Sequence, residues 1–145
     1  MSVGPHERHE LKLMKARTKP LSMFLQADGD RRRRFPEHAF DALVARGKLH
    51  KVVSPWTITA RDGKQHRYRR VLYALPGEEW RINAFLLVQE LYDSLVPGWR
   101  PDLERILGLL LGYDRKDIEA YIARLPMCSS RPTTSRDGSP RRSKE

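Results

Sequence analysis

One cysteine, Cys128, is all the thiol chemistry this 145-residue chain has. A lone thiol closes no disulfide within the chain and builds no cysteine metal cluster. That excludes a disulfide-stapled scaffold and a zinc ribbon, and makes a reducing cytoplasm the simplest compartment. Long apolar runs are also missing. Nothing approaches the roughly 20 consecutive apolar residues of a spanning helix, so no membrane segment is expected. The opening Met-Ser-Val-Gly-Pro-His-Glu-Arg lacks the apolar core of a secretory signal. There is neither a glycine-rich phosphate loop nor a nucleophile elbow, and His38, His50 and His66 are scattered without a fixed relation to an acid or a serine. His6-Glu7-Arg8-His9-Glu10 falls short of the zinc-protease spacing, which needs a second histidine where Glu10 stands; a polar first helical turn is the better reading. A non-enzymatic protein with no cofactor and no metal site is expected.

Acid is scarce in the first half. Residues 1–75 hold 17 Lys/Arg against 7 Asp/Glu, residues 76–126 hold 6 against 9, and residues 127–145 hold 5 against 2, for a net charge of +10. A basic half, a slightly acidic half and a basic tail follow one another. Such a balance favours polyanions or acidic protein surfaces as partners.

The elements divide in the same way. Residues 6–17 read as a short helix on Leu11 and Met14, ended before Pro20, and 21–25 as a buried strand. Residues 26–34 form a loop punctuated by Asp28-Gly29 and closed by Arg31, Arg32, Arg33 and Arg34. Residues 35–48 are a helix with Pro36 at its start, a Phe40-Leu43-Val44 stripe and Gly47 at its left-handed cap. Residues 49–53 read as a strand ending before Pro55. Residues 78–96 form the most apolar helix, with Trp80, Ala84, Leu87, Val88, Leu91 and Leu95 as its inward stripe and Ile82, Phe85, Leu86 and Tyr92 broadening it. Residues 102–112, capped by Asp102, and 113–126, capped by Asp114, follow as two shorter helices. Residues 127–145 are rich in Ser, Pro and Arg and too poor in apolar groups to offset the entropy of ordering. One α+β domain over residues 1–126 is expected: a small mixed or antiparallel sheet with a basic β-hairpin, packed on a predominantly helical C-terminal half, followed by a disordered basic tail.

The hairpin is the feature with chemistry. Residues 56–61 and 64–75 flank Asp62-Gly63, a dipeptide suited to a two-residue type I′ turn. That turn would set Trp56 opposite Arg69 and Ile58 opposite Arg67, leave neither face of the tip apolar, and let Val71, Tyr73 and Leu75 anchor the base. Arg61, Lys64, Arg67, Arg69 and Arg70 then form a solvated cationic ribbon, with His66 and Tyr68 interleaved. Arginine forks suit phosphate, an aromatic suits a base, and two-stranded ribbons can enter a groove or follow a backbone. The alternative is an edge ribbon whose charges discourage sheet-to-sheet aggregation.

Residues 103–123 resemble the DNA-binding helix-turn-helix pattern. Gly108 stands for its small residue in the first helix and Gly112 for its turn glycine, with Leu107, Leu111, Tyr113, Ile118 and Tyr121 at the apolar places. The resemblance implies that Arg115, Lys116, Glu119 and Ala120 face the groove. Asp114, Asp117 and Glu119 offset the cations of that second helix, so an ordinary helical hairpin that completes the core stays open beside it. The expectation is a small nucleic-acid-binding protein of a regulatory kind, DNA ahead of RNA, that uses the hairpin with Arg31 to Arg34 and Arg115-Lys116 in support. The rival is an adaptor or inhibitor that docks its basic face on an acidic protein, such as a nucleic-acid enzyme. In either case the apolar helix 78–96 offers a face for a homodimer or another partner.

Overall fold

Five consecutive residues, Val71 to Leu75, are buried with no polar partner alternating between them. Such a run needs cover on both faces of a strand, and the computed structural model, which describes residues 6, 8–32, 35–94 and 100–125, supplies it. The elements run α1 (Glu10–Lys15), β1 (Leu21–Ala27), α2 (Glu37–Ala45), β2 (His50–Thr59), β3 (Gln65–Ala74), α3 (Trp80–Ser94), α4 (Pro101–Leu110) and α5 (Arg115–Arg124). The three strands form an antiparallel sheet in the order β1-β3-β2. On one face Val71, Tyr73 and Leu75 pack with Met14, Phe35 and Phe40, and on the other Leu72 and Ala74 pack with Ile82, Phe85, Leu107 and Leu110. The chain is therefore α+β, with helices on both sides of the sheet. The basic tail from residue 127, Arg33, Arg34, Leu95 and Trp99 lie outside the described residues.

Three expectations change. The strand predicted to stop before Pro55 continues through it to Thr59. β2 is an edge strand, and an edge is where the missing N–H of proline does the ladder least harm. Arg100, and not Asp102, takes the N-cap position of α4, with Pro101 in its first turn; Asp102 instead accepts the Arg100 guanidinium at 2.7 Å. The inward stripe of α3 also differs. Ile82 and Phe85 are buried, whereas Trp80, Leu87 and Leu91 are 55%, 58% and 46% exposed. Residues 82, 85, 86, 89 and 92 share one helical face, and the polar Gln89 in that row serves the sheet by accepting Arg70 Nη1 at 3.3 Å. A pattern scored on apolarity alone skips Gln89 and is displaced toward the exposed edge, so that of its described members only Ala84 and Val88 pack against the core.

Candidate nucleic-acid interface

The hairpin turn is longer by one residue than the two-residue form. The Gly63 N–H donates to the Ala60 carbonyl at 2.9 Å and the Ala60 N–H to the Lys64 carbonyl at 2.8 Å. Asp62 Oδ1 accepts the Lys64 N–H at 2.9 Å. Only Gly63, at φ +80°, is left-handed in this loop, so it is a three-residue connection with a glycine bulge in place of a type I′ turn. One extra residue shifts the whole register. Trp56 pairs with Tyr68, Thr57 with Arg67 and Ile58 with His66, not with Arg69, Tyr68 and Arg67. The Trp56 and Tyr68 rings meet at 6.0 Å.

β1 pairs with β3 only as far as Tyr68. Beyond it, Thr57 to Arg67 form a two-stranded overhang in which Arg61, Lys64, Gln65, His66 and Arg67 are all exposed. None of Arg61, Lys64, His66 and Arg67 has a side-chain hydrogen bond or ion pair among the described residues.

The other two cations of the ribbon belong to the fold. Arg69 grips Glu37 of α2 with both terminal nitrogens, at 3.1 and 2.6 Å, and also donates to Gln26 at 3.2 Å. Lys51 joins the same carboxylate at 3.2 Å and bonds Asp41 at 2.7 Å, while the Tyr73 hydroxyl donates to Asp41 at 3.0 Å. The Arg69 hydrogen bond is the main cause that holds the Glu37 carboxyl well below its ordinary range, at about 2. Burial, followed by the hydrogen bond to Asp41, pushes the Tyr73 phenol up. Arg70 lies on the opposite face and is 9% exposed. It donates to Gln89, to Ser54 at 3.2 Å and to the Pro55 carbonyl at 3.3 Å, and it lies over the Trp56 ring at 5.4 Å. Its Nε has no partner among the described residues, and desolvation lowers its pKa. Both residues were expected in solvent. The register turns Arg69 toward α2 and Arg70 toward α3, where carboxylate, amide and carbonyl groups take them up.

The remaining candidates divide between the two ends of the sheet. The Asp28 N–H donates to the Arg67 carbonyl at 2.9 Å, so the loop carrying exposed Arg31 and Arg32 leaves β1 where the overhang begins. Arg32 is paired with Asp30 at 3.2 Å. Arg115 and Lys116, both exposed, open α5 just after Gly112, which packs on Pro20 at the far end of β1. Leu21 and Ala27 are six strand residues apart, about 20 Å along the sheet, so the helical cations do not join the ribbon. Tyr68 is half-buried beside Trp56.

Gly108 and Gly112 explain the helix-turn-helix likeness physically. A Cβ on Gly108 would lie 2.8 Å from Ile118 Cγ1, and one on Gly112 2.5 Å from Pro20 Cδ. The first glycine lets α5 close on α4, and the second both turns the chain, at φ +83°, and seats it on the sheet layer. Glu119, on the face expected to read a groove, is tied to Arg105 at 2.6 Å. His6, considered above as a metal ligand, stacks on Tyr113 at 4.1 Å, and its Nδ1 meets Lys19 Nζ at 2.9 Å. Burial lowers Lys19 to about 8, and its ammonium donates to the Leu111 carbonyl at 2.7 Å. No described helix is long and apolar enough to cross a membrane.

By architecture this is an α+β protein in which a three-stranded sheet carries a basic two-stranded overhang. No protein-family model matches the chain, and neither a curated protein nor a solved structure is significantly similar to it.

Proposed function

We propose that this protein binds nucleic acid, DNA ahead of RNA, through the overhang of β2 and β3, and that it does so without catalysing a reaction. The observation that carries the reading is the overhang itself. Arg61, Lys64, His66 and Arg67 project past the third strand with no side-chain partner among the described residues. Solvated cations lose little on meeting a phosphate, and each contact releases condensed counterions. Arg31 and Arg32 extend the positive surface at the same end of the sheet. A two-stranded ribbon of this kind has the width for a major groove or can track a backbone.

The test is salt-titrated binding of a generic duplex and a single strand to the wild type and to Arg61→Ala/Lys64→Ala/Arg67→Ala. Wild type should bind at low salt, with log affinity falling linearly in log salt. The triple variant should bind more weakly, with a shallower slope, by up to about 0.9 per lost phosphate contact on duplex. Absence of binding at low salt, or a triple variant indistinguishable from wild type, refutes the proposal.

A second reading, self-association through the helical half, is favoured by the outward row of Trp80, Leu87 and Leu91 beside Ile106 and Leu109, all exposed. Apolar rows of this extent are the usual material of an interface. Sedimentation should then show a concentration-dependent dimer that Leu87→Glu/Leu91→Glu abolishes. A monomer throughout the micromolar range counts against it.

A further inference from the structure

A cavity of about 500 Å³ opens between the sheet and the three C-terminal helices, on the side away from α2. Its apolar wall comes from Met23 and Trp56 of the sheet, Phe85 of α3, Leu107 of α4 and Ile118 of α5. The volume is that of a small-molecule site. Its polar lining runs against the sign of the whole protein: Asp93, Glu104 and Asp117 line it, and among the described residues no lysine or arginine does.

Glu104 is the informative group. It has no ion pair among the described residues, and Tyr92 is the side chain that hydrogen-bonds it. Burial pushes its carboxyl above the ordinary range. Tyr121, also lining the cavity, has its phenol pushed up first by burial and then by the charge of Glu104. Cations close by in sequence are committed elsewhere, Arg100 to Asp102 at 2.7 Å and Arg105 to Glu119 at 2.6 Å. Arg70 lies against the Trp56 ring at 5.4 Å, and its terminal nitrogens are taken up by Gln89, Ser54 and Pro55, its Nε alone being without a partner among the described residues. Asp93 is likewise engaged, accepting the Trp56 indole N–H at 2.8 Å. Glu104 is thus a half-buried carboxylate near two tyrosines, with no counter-charge among the described residues, in a cavity whose wall is mostly apolar apart from Gln89, Asp93, Tyr113 and Asp117.

We infer that this cavity is a binding site for a small organic cation, a primary amine or guanidinium on a flat apolar body. Glu104 would take the charge, Tyr92 and Tyr121 would flank it, and the body would lie on Phe85, Leu107 and Ile118. A half-buried carboxylate without a counter-charge gains from a cationic partner, and aromatic faces beside it add attraction for the same charge. An anion is disfavoured by Asp93, Glu104 and Asp117 together. The site is separate from the overhang, and its test does not depend on nucleic-acid binding.

The experiment titrates the full chain with 2-phenylethylamine and benzamidine, with 2-phenylethanol as the neutral match, reading the Trp56 indole N–H by NMR. The amines should saturate and shift that resonance, the alcohol should bind at least tenfold more weakly, and Glu104→Gln should remove the preference. Nα-acetyl-lysine amide and Nα-acetyl-arginine amide in parallel separate a free amine from a peptide side chain as the source of the cation. Circular dichroism checks that the variant folds; if it does not, Tyr121→Ala, at an exposed position, replaces it and should weaken the amine about tenfold. Equal binding of the alcohol, an unchanged affinity in the folded variant, or no saturation at millimolar amine overturns the inference.

Discussion

The Glu37 carboxylate holds three elements together with one charge. It sits in the first turn of α2, where the helix dipole favours an acid, and accepts from Arg69 on β3 and Lys51 on β2. Its carboxyl is depressed from 4.5 to about 2, so its contribution is complete above pH 4.5 and is lost as pH falls through 2. Glu37→Gln should therefore cost roughly 1 kcal/mol at neutral pH, allowing for solvent screening, and should flatten the fall in stability between pH 4.5 and 2. Urea denaturation at several pH values measures both. That Glu37 would meet Arg69 was not legible in the sequence. The two are 32 positions apart, and their contact depends on where α2 packs on the sheet face that Arg69 shares with Val71 and Tyr73. Arg67 and Arg69 look alike in the string; only the reach of β1 distinguishes the solvated one from the bonded one.

Among the elements, α4 and α5 were the most readable pair and the most ambiguous in meaning. Their apolar spacing and the break between them were visible beforehand, and the helix-turn-helix likeness made Gly112 the turn glycine, which the structure places at φ +83°. The role of Gly108 appears only in contact with Ile118 Cγ1, 2.8 Å from where a Cβ would stand. Gly108→Ala should destabilise by about 1–3 kcal/mol through overpacking, less the gain of up to about 1 kcal/mol that alanine brings to a helix. Thermal unfolding measures the balance, and a second substitution, Ile118→Val, should recover part of the loss. In α3, by contrast, periodicity failed, because a helix apolar on nearly every side offers more than one stripe. Gln89 had no place in the expected stripe, whereas it accepts a hydrogen bond from the buried Arg70. The hairpin was located correctly, but Asp-Gly serves two turn types, and their difference determines which β2 residue stands opposite each residue of β3.

At the scale of the whole molecule, charge is laid out by end and by face. The overhang and Arg31-Arg32 share one end, Arg115 and Lys116 lie toward the other, and carboxylates line the cavity on the helical side. The basic-then-acidic division along the chain was legible from composition, but its division between the two ends required the sheet. A net charge of +10 repels itself. Removing Arg61, Lys64 and Arg67 lowers it by three, to +7, and breaks no side-chain contact among the described residues. The triple variant should consequently unfold at the same or a slightly higher temperature at low salt, a difference that 0.5 M salt erases. A marked loss of stability would mean that the overhang is structural.

The strand order β1-β3-β2 has a consequence for synthesis. β1 and β2 are not hydrogen-bonded neighbours; each is laddered only to the strand that is made last. Until Ala74 has left the ribosome, the two earlier strands have no hydrogen-bonding neighbour, and Phe24, Phe40 and Val52 have no central strand on which to collapse. Nearly half the polypeptide must wait, uncommitted, for ten residues to arrive and close both ladders together.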